Sequence, residues 1–188
     1  GAAAVITSGC DSAADTLCGA SCSLAELAAG GTLQVADKLF SSFALSAFSG
    51  RAIDAGLIRV DPIDSPNDPG FALVDVDGTL RAEDGDSSAT NLDFNVAIAG
   101  GPKRILGFEV TLGVGEVAGD DSFASMFATL FTTDFSTVLG NSLLVCDTLV
   151  PTPCGGTSAS ESGSFDSLDA LAVTSGFDVF SGIAGVAQ

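Results

Sequence analysis

The sequence predicts an all-β fold: an antiparallel two-sheet β-sandwich, jelly-roll-like, with one short N-terminal helix. Three observations carry that expectation. Large side chains alternate with small or polar ones over 92–98 and again over 106–114, the period-two pattern of strands with one buried face. Turn clusters such as Ser65-Pro66-Asn67-Asp68-Pro69-Gly70 and Gly100-Gly101-Pro102 punctuate the chain at short intervals. Only Ser23-Leu24-Ala25-Glu26 carries a convincing helix start, a capping box that predicts a short helix ending at Gly30-Gly31.

The elements follow in order. Residues 1–30 read as a cysteine-bearing arm of the same fold, with a candidate strand at Ala2–Thr7, and 31–188 as the sandwich domain. Phe43, Leu45 and Ala47 alternate within 39–48, and Leu57–Val60 forms a strand that Asp61-Pro62 stops. Phe71–Asp77 follows a turn cluster. Leu92, Phe94, Val96 and Ile98 share a face, as do Leu106, Phe108, Val110, Leu112 and Val114. With Gly-Gly-Pro between them, the two runs predict an antiparallel hairpin. Phe123, Phe127 and Phe131 recur at a spacing that fits helix or strand, and the Thr, Ser and Phe content favours strand. Leu143–Cys146, Leu168–Thr174 and Phe177–Ile183 complete about nine short strands, with 155–163 the most loop-like stretch.

Composition excludes more functions than it suggests. The 188 residues contain no histidine, tryptophan or tyrosine. The commonest general base and metal ligand is therefore absent, as are the usual aromatic platforms for sugars. No G-x-S-x-G element or phosphate-cradling glycine loop with its lysine occurs. Lys38 and Lys103 are the candidates for a Ser–Lys pair or an isopeptide link, and read more simply as ordinary surface charges. Twenty-four acids against six basic residues give a formal charge of −18, which repels nucleic acids and anionic lipids. No run of apolar residues is long enough for a transmembrane helix. The chain is read as non-enzymatic and without a cofactor, calcium being the one candidate ion.

The five cysteines have no histidine and no C-x-x-C spacing beside them, so disulfides in an oxidising compartment are the better reading than zinc. Cys146 and Cys154 close a short proline-stiffened loop and are expected to pair. Two of Cys10, Cys18 and Cys22 are expected to pair, leaving one over. Gly1-Ala2-Ala3-Ala4 is read as what remains after signal-peptide cleavage, which places the protein outside the cell or on its surface.

The segment Leu33-Gln34-Val35-Ala36-Asp37-Lys38-Leu39-Phe40-Ser41-Ser42-Phe43 resembles the "GDKLFSNF" block of exported bacterial proteins that carry PEP-CTERM sorting tails. The resemblance continues through Asn67-Asp68-Pro69-Gly70-Phe71, the 92–114 region and the late Cys146–Cys154 loop. It implies an exported β protein and assigns no catalytic residue. The block's usual glycine is Ala36 here, and no PEP motif or basic tail follows within these residues. The expectation is a tail removed by processing, or a released protein.

Two sets of candidate residues remain. Asp61, Asp64 and Asp68 crowd one turn, and Asp75, Asp77, Asp84 and Asp86 another, with Glu83 beside them. Such oxygen-rich turns are where calcium binds, although Asp75-x-Asp77-Gly78 lacks the rest of an EF-hand and acidic turns are ordinarily just solvated. The apolar ends, Ala2, Ala3, Ala4, Val5, Ile6 and Thr7 with Phe177, Val179, Ile183 and Val186, are candidates for strand addition to a second copy, against the simpler reading as edge strands of their own sheet. The favoured function is a self-assembling subunit of an extracellular filament, sheath or matrix. The alternative is a monomeric surface binding module, a calcium-dependent adhesin or glycan binder.

Overall fold

A computed structural model describes residues 5–10, 22–65, 67–113, 117–118, 122–147, 158–182 and 186–187. In chain order its elements are β1 (Val5–Ser8), β2 (Cys22–Ser23), α1 (Leu24–Ala28), β3 (Thr32–Val35), β4 (Lys38–Gly50), a 3-10 turn (Ala55–Leu57), β5 (Ile58–Ile63), β6 (Gly70–Asp75), β7 (Ala82–Glu83), β8 (Ser87–Ile98), β9 (Ile105–Gly113), β10 (Val117–Ala118), β11 (Phe123–Phe131), β12 (Val138–Asp147), β13 (Ser158–Leu168), β14 (Ala170–Phe180) and β15 (Val186–Ala187). A seven-stranded antiparallel sheet, ordered β1-β3-β4-β8-β14-β11-β12, forms one layer. The sheet β2-β5-β6 and the ribbon β9-β13 form the other, and a small sheet β10-β15-β7 completes the set. The chain is an antiparallel β-sandwich with one short helix, the class its sequence predicts.

The layers meet in one core that takes Phe40, Phe43, Leu92 and Val173 from the large sheet and Ile58, Val60 and Ile105 from the opposite layer. Against it Phe40, Phe43 and Phe94 of the large sheet close around the partly buried Phe71 of β6, at ring separations of 5.1, 5.7 and 5.2 Å. Edge-to-face contacts of this kind add to the stabilisation from burial alone. Phe40 and Phe43 are an odd number of residues apart, so a regular strand would aim them at opposite faces. Ser42, at φ 58°, interrupts the β4–β8 register between Ser41 and Ala44, and the bulge brings both rings inward.

The helix forms where its capping box places it. Ser23 Oγ accepts from the Glu26 amide at 3.3 Å, and Glu26 Oε2 accepts from the Ser23 amide at 2.8 Å. Leu24 and Leu27 are fully buried, so the helix belongs to the main core. β1 pairs with β3, and a disulfide joins Cys10 to Cys22 just beyond it. Cys146 is also disulfide-bonded. Its expected partner Cys154, like Cys18, lies outside the described residues.

Several expectations are corrected. The 92–98 and 106–114 runs do not form a hairpin: β8 pairs with β4 and β14, whereas β9 pairs with β13. Both edges of β8 are occupied, and the residues between the two runs carry the chain into the other layer. Leu106 is accordingly exposed rather than in line with Phe108. Pro62 does not stop its strand, because β2 pairs only with Arg59 and Val60 and so leaves no ladder donor needed at position 62. Phe123, Phe127 and Phe131 lie on a strand, β11. The separate candidates 168–174 and 177–183 are largely one strand, β14, and Ser158–Gly163 belongs to β13 instead of a loop.

Two stability predictions follow from these positions. Leu27→Ala empties a fully buried site and is expected to cost about 2–5 kcal/mol in denaturant unfolding. Ala36 sits at φ 54° in the turn between β3 and β4, a conformation that disfavours a Cβ. Ala36→Gly is therefore expected to raise stability by about 1 kcal/mol, read as an increase in Tm.

Candidate functional site

The acidic turns are occupied by the fold itself. Asp75 Oδ1 accepts from the amides of Asp77 (3.3 Å) and Thr79 (3.0 Å), and its Oδ2 accepts from Leu80 (2.8 Å). The carboxylate thus builds the turn that an ion would need it to leave. Asp61 receives two bonds from Arg59, at 2.7 and 2.8 Å. Asp68 donates its own amide to Ser65. Asp86 pairs with Arg51 at 3.1 Å, which together with the Ser87 amide holds its carboxyl below the usual range. Among the described residues no three potential metal ligands come together. Of the seven candidates, Asp61, Asp75 and Asp86 have carboxylates tied to an arginine or to turn amides, and Asp64, Asp68, Asp77 and Asp84 join no group of three ligands among the described residues.

Asp84 and Asp86 do line an open depression of about 430 Å³, together with Arg51, Gly78, Arg81 and Glu83. Its charges are internally matched. Arg81 pairs with Glu83, and Arg51 also donates to the backbone carbonyls of Thr79 and Arg81. The two ion pairs engage four of the five charged side chains that line it.

The terminal assembly candidates are redistributed. Val5, Ile6 and Thr7 form the edge strand β1 of their own sheet, all exposed. Phe177 and Val179 belong to β14, flanked by β8 and β11. Phe177 packs on the main core and Val179 is buried, so neither side chain is available to a neighbour. Val186 pairs with Ala118 and Glu83 of the same chain. Ala2, Ala3, Ala4 and Ile183 lie outside the described residues.

The outer face of the seven-stranded sheet offers the better candidate. Its registers set Leu143, Phe127, Gly176, Asn91 and Ser46 in one row across five strands. Asn141, Thr129, Thr174, Asp93 and Ala44 form the next row. Phe127 lies over Gly176: a Cβ there would overlap the ring and come within 2.8 Å of Asn91 Oδ1. The glycine therefore lets the ring rest across the sheet, with Phe127 37% and Leu143 65% exposed. At the end of β11, Phe131 stacks near the exposed Phe135, centroids 5.5 Å apart. Asp134 fixes that turn. Hydrogen bonds from Thr132 and Ser136 hold its carboxyl at about 2.

The row next to Phe127, through Asn141, Thr129, Thr174 and Asp93, is polar. The Oδ1 of Asp93 is buried without a hydrogen-bond partner. Burial raises the pKa of Asp178, which lies on the same face opposite Ser125 and Ala89. None of the five described ion pairs includes Asp93 or Asp178. The result is an exposed ring and an aliphatic neighbour, bordered by an amide and by carboxylates without cationic partners. Sequence reasoning missed Phe127, because the pattern shows only that 123, 127 and 131 share a face. That Gly176 lies beneath the ring is a matter of register between distant strands.

No family model matches the chain, and no curated protein matches it. Among solved structures it is similar to TmCBM61 in complex with β-1,4-galactotriose, at 10% identity and a TM-score of 0.34, over 78% of this chain and 83% of that one.

Asp178 gives the face a measurable pH signature. Its raised pKa means that the native state holds the proton more tightly than the unfolded chain does. Stability therefore falls as pH rises from about 4, the ordinary aspartate value, through the raised native value. At neutral pH the ionised carboxylate is a cost. Asp178→Asn is expected to melt above the parent near neutral pH, with the difference vanishing by about pH 3 in thermal scans followed by circular dichroism.

Proposed function

We propose that this chain is a non-enzymatic extracellular module that binds a neutral glycan on the outer face of its seven-stranded sheet. The observation that carries the reading is Phe127, laid over Gly176 with part of its ring exposed. A flat, immobilised ring presents an apolar surface to the C–H face of a sugar at little entropic cost. Asn91 and Asn141 supply amide donors and acceptors, the complement that sugar hydroxyls require. The unpaired carboxylates and the net charge of −18 select against uronate and sulfated chains.

Catalysis has little support from the chain. There is no histidine, and the acids with described partners are engaged in turns and ion pairs. The Cys10–Cys22 disulfide fits an oxidising environment. Calcium is not needed for the contact described.

Titration calorimetry against neutral and acidic polysaccharides tests the reading. Binding is expected for a neutral glycan, unchanged by a calcium chelator. Phe127→Ala should weaken it about tenfold or more, equivalent to about 1.4 kcal/mol. Asn91→Ala, which leaves the ring in place, should weaken it several-fold. The reading fails if no neutral glycan binds, or if both variants fold and bind as the parent does.

A further inference from the structure

Phe127 is one of three rings in line. Ala124, Ala128 and Leu130 of β11 are buried, so the alternate positions Phe123, Ser125, Phe127, Thr129 and Phe131 occupy the outer face of the sheet. All five are at least partly exposed, and none carries a charge. Ring and hydroxyl therefore alternate along one strand. Successive rings are four residues apart, which is about 13 Å along the strand, and the whole track is about 26 Å long.

Each ring is held by a different neighbour. Phe123 stacks on Phe180 of β14, with centroids 5.5 Å apart and planes at 23°. Phe127 lies over Gly176, and Phe131 rests against Phe135 at 5.5 Å. None of the three rings is among the described residues of the main core or packed against it. Rings that are already ordered at the surface lose little freedom when a ligand covers them. Between them, the register places Ser125 beside Asp178, and Thr129 between Asn141 and Thr174.

We propose that β11 is the axis of the glycan site: a linear, uncharged oligosaccharide lies along the strand, with sugar units on Phe123, Phe127 and Phe131. Its hydroxyls meet Ser125, Thr129 and their polar neighbours between the rings. The geometry, taken with the glycan-binding reading on which this rests, sets the shape, charge and length of the ligand. Equal spacing on a single strand suits a linear chain running with the strand rather than across the sheet. Alternation of ring and hydroxyl suits apolar faces and polar edges, which a pyranose has. No charged side chain stands on the track, and the net charge of −18 repels polyanions. One sugar unit covers one ring, so only a ligand spanning about 26 Å covers all three. Each further ring then engages the same ligand without a second cost of association.

Titration calorimetry tests this on the whole chain, with linear neutral glucan, mannan, xylan and galactan. For each that binds, its own oligosaccharides are compared from the disaccharide upwards. Affinity is expected to rise with length, by about fivefold for each further ring covered, and to level off once the ligand spans all three. Phe123→Ala and Phe131→Ala should each weaken the longest oligosaccharide about fivefold, and weaken it more than the disaccharide. Phe135→Gly removes the support of Phe131 at a position where φ is 57°, a conformation that glycine adopts freely. It should not lower Tm, yet should still weaken the longest ligand. Affinity that does not change with length overturns the track and leaves the single-ring site standing. So does affinity unmoved in these three variants while Phe127→Ala weakens it. If none of these glycans binds, or a proline-rich peptide binds in their place, both the track and the glycan-binding reading fall.

Discussion

The contact on which the rest of the fold depends is the closure of Phe40, Phe43 and Phe94 around Phe71. In a chain without tryptophan or tyrosine, phenylalanine supplies the aromatic volume that holds two layers together. Here two large-sheet strands and one strand of the opposite layer converge at a single point. The condition is an irregularity. Without the bulge at Ser42, Phe40 and Phe43 would face opposite sides of the sheet, and one ring would be lost to solvent. A local departure from strand geometry thus secures the global packing.

The core lies on one side of the seven-stranded sheet, and the row of Leu143, Phe127, Gly176, Asn91 and Ser46 lies on the other. The rows of that outer face mix small and polar residues with large apolar ones, among them Phe127 and Leu143, Phe123 stacked on Phe180, and Leu39. Phe127 and Leu143 share a row there, and Gly176 gives the ring a place to lie. Acidity works in parallel. Asp61, Asp75 and Asp86 are tied to an arginine or to turn amides, so the high negative charge is partly invested in loop architecture.

Legibility differed by the range of the interaction involved. The capping box of Ser23 and Glu26 is a contact over three residues, and it forms where the sequence places it. The strand character of 92–98 and 106–113 was equally plain, since period-two burial is local. Their pairing was misleading, because Gly100-Gly101-Pro102 signals a change of direction and says nothing about which layer the next strand joins. Pro62 misled for a related reason. A missing donor matters only where a neighbouring strand calls for it, and β2 is too short to do so.

What the sequence by itself determined is the class of fold, the helix, the acidity and the absence of histidine chemistry, all properties of composition or of neighbours along the chain. Tertiary structure alone decided that Phe127 lies over Gly176 and that Phe177 and Val179 are interior. Each of these depends on register between strands tens of residues apart, which is fixed by how the two layers share one core. A strand's pattern reveals that it has an inner face, but the neighbour that meets its outer face is chosen only when the sheet assembles.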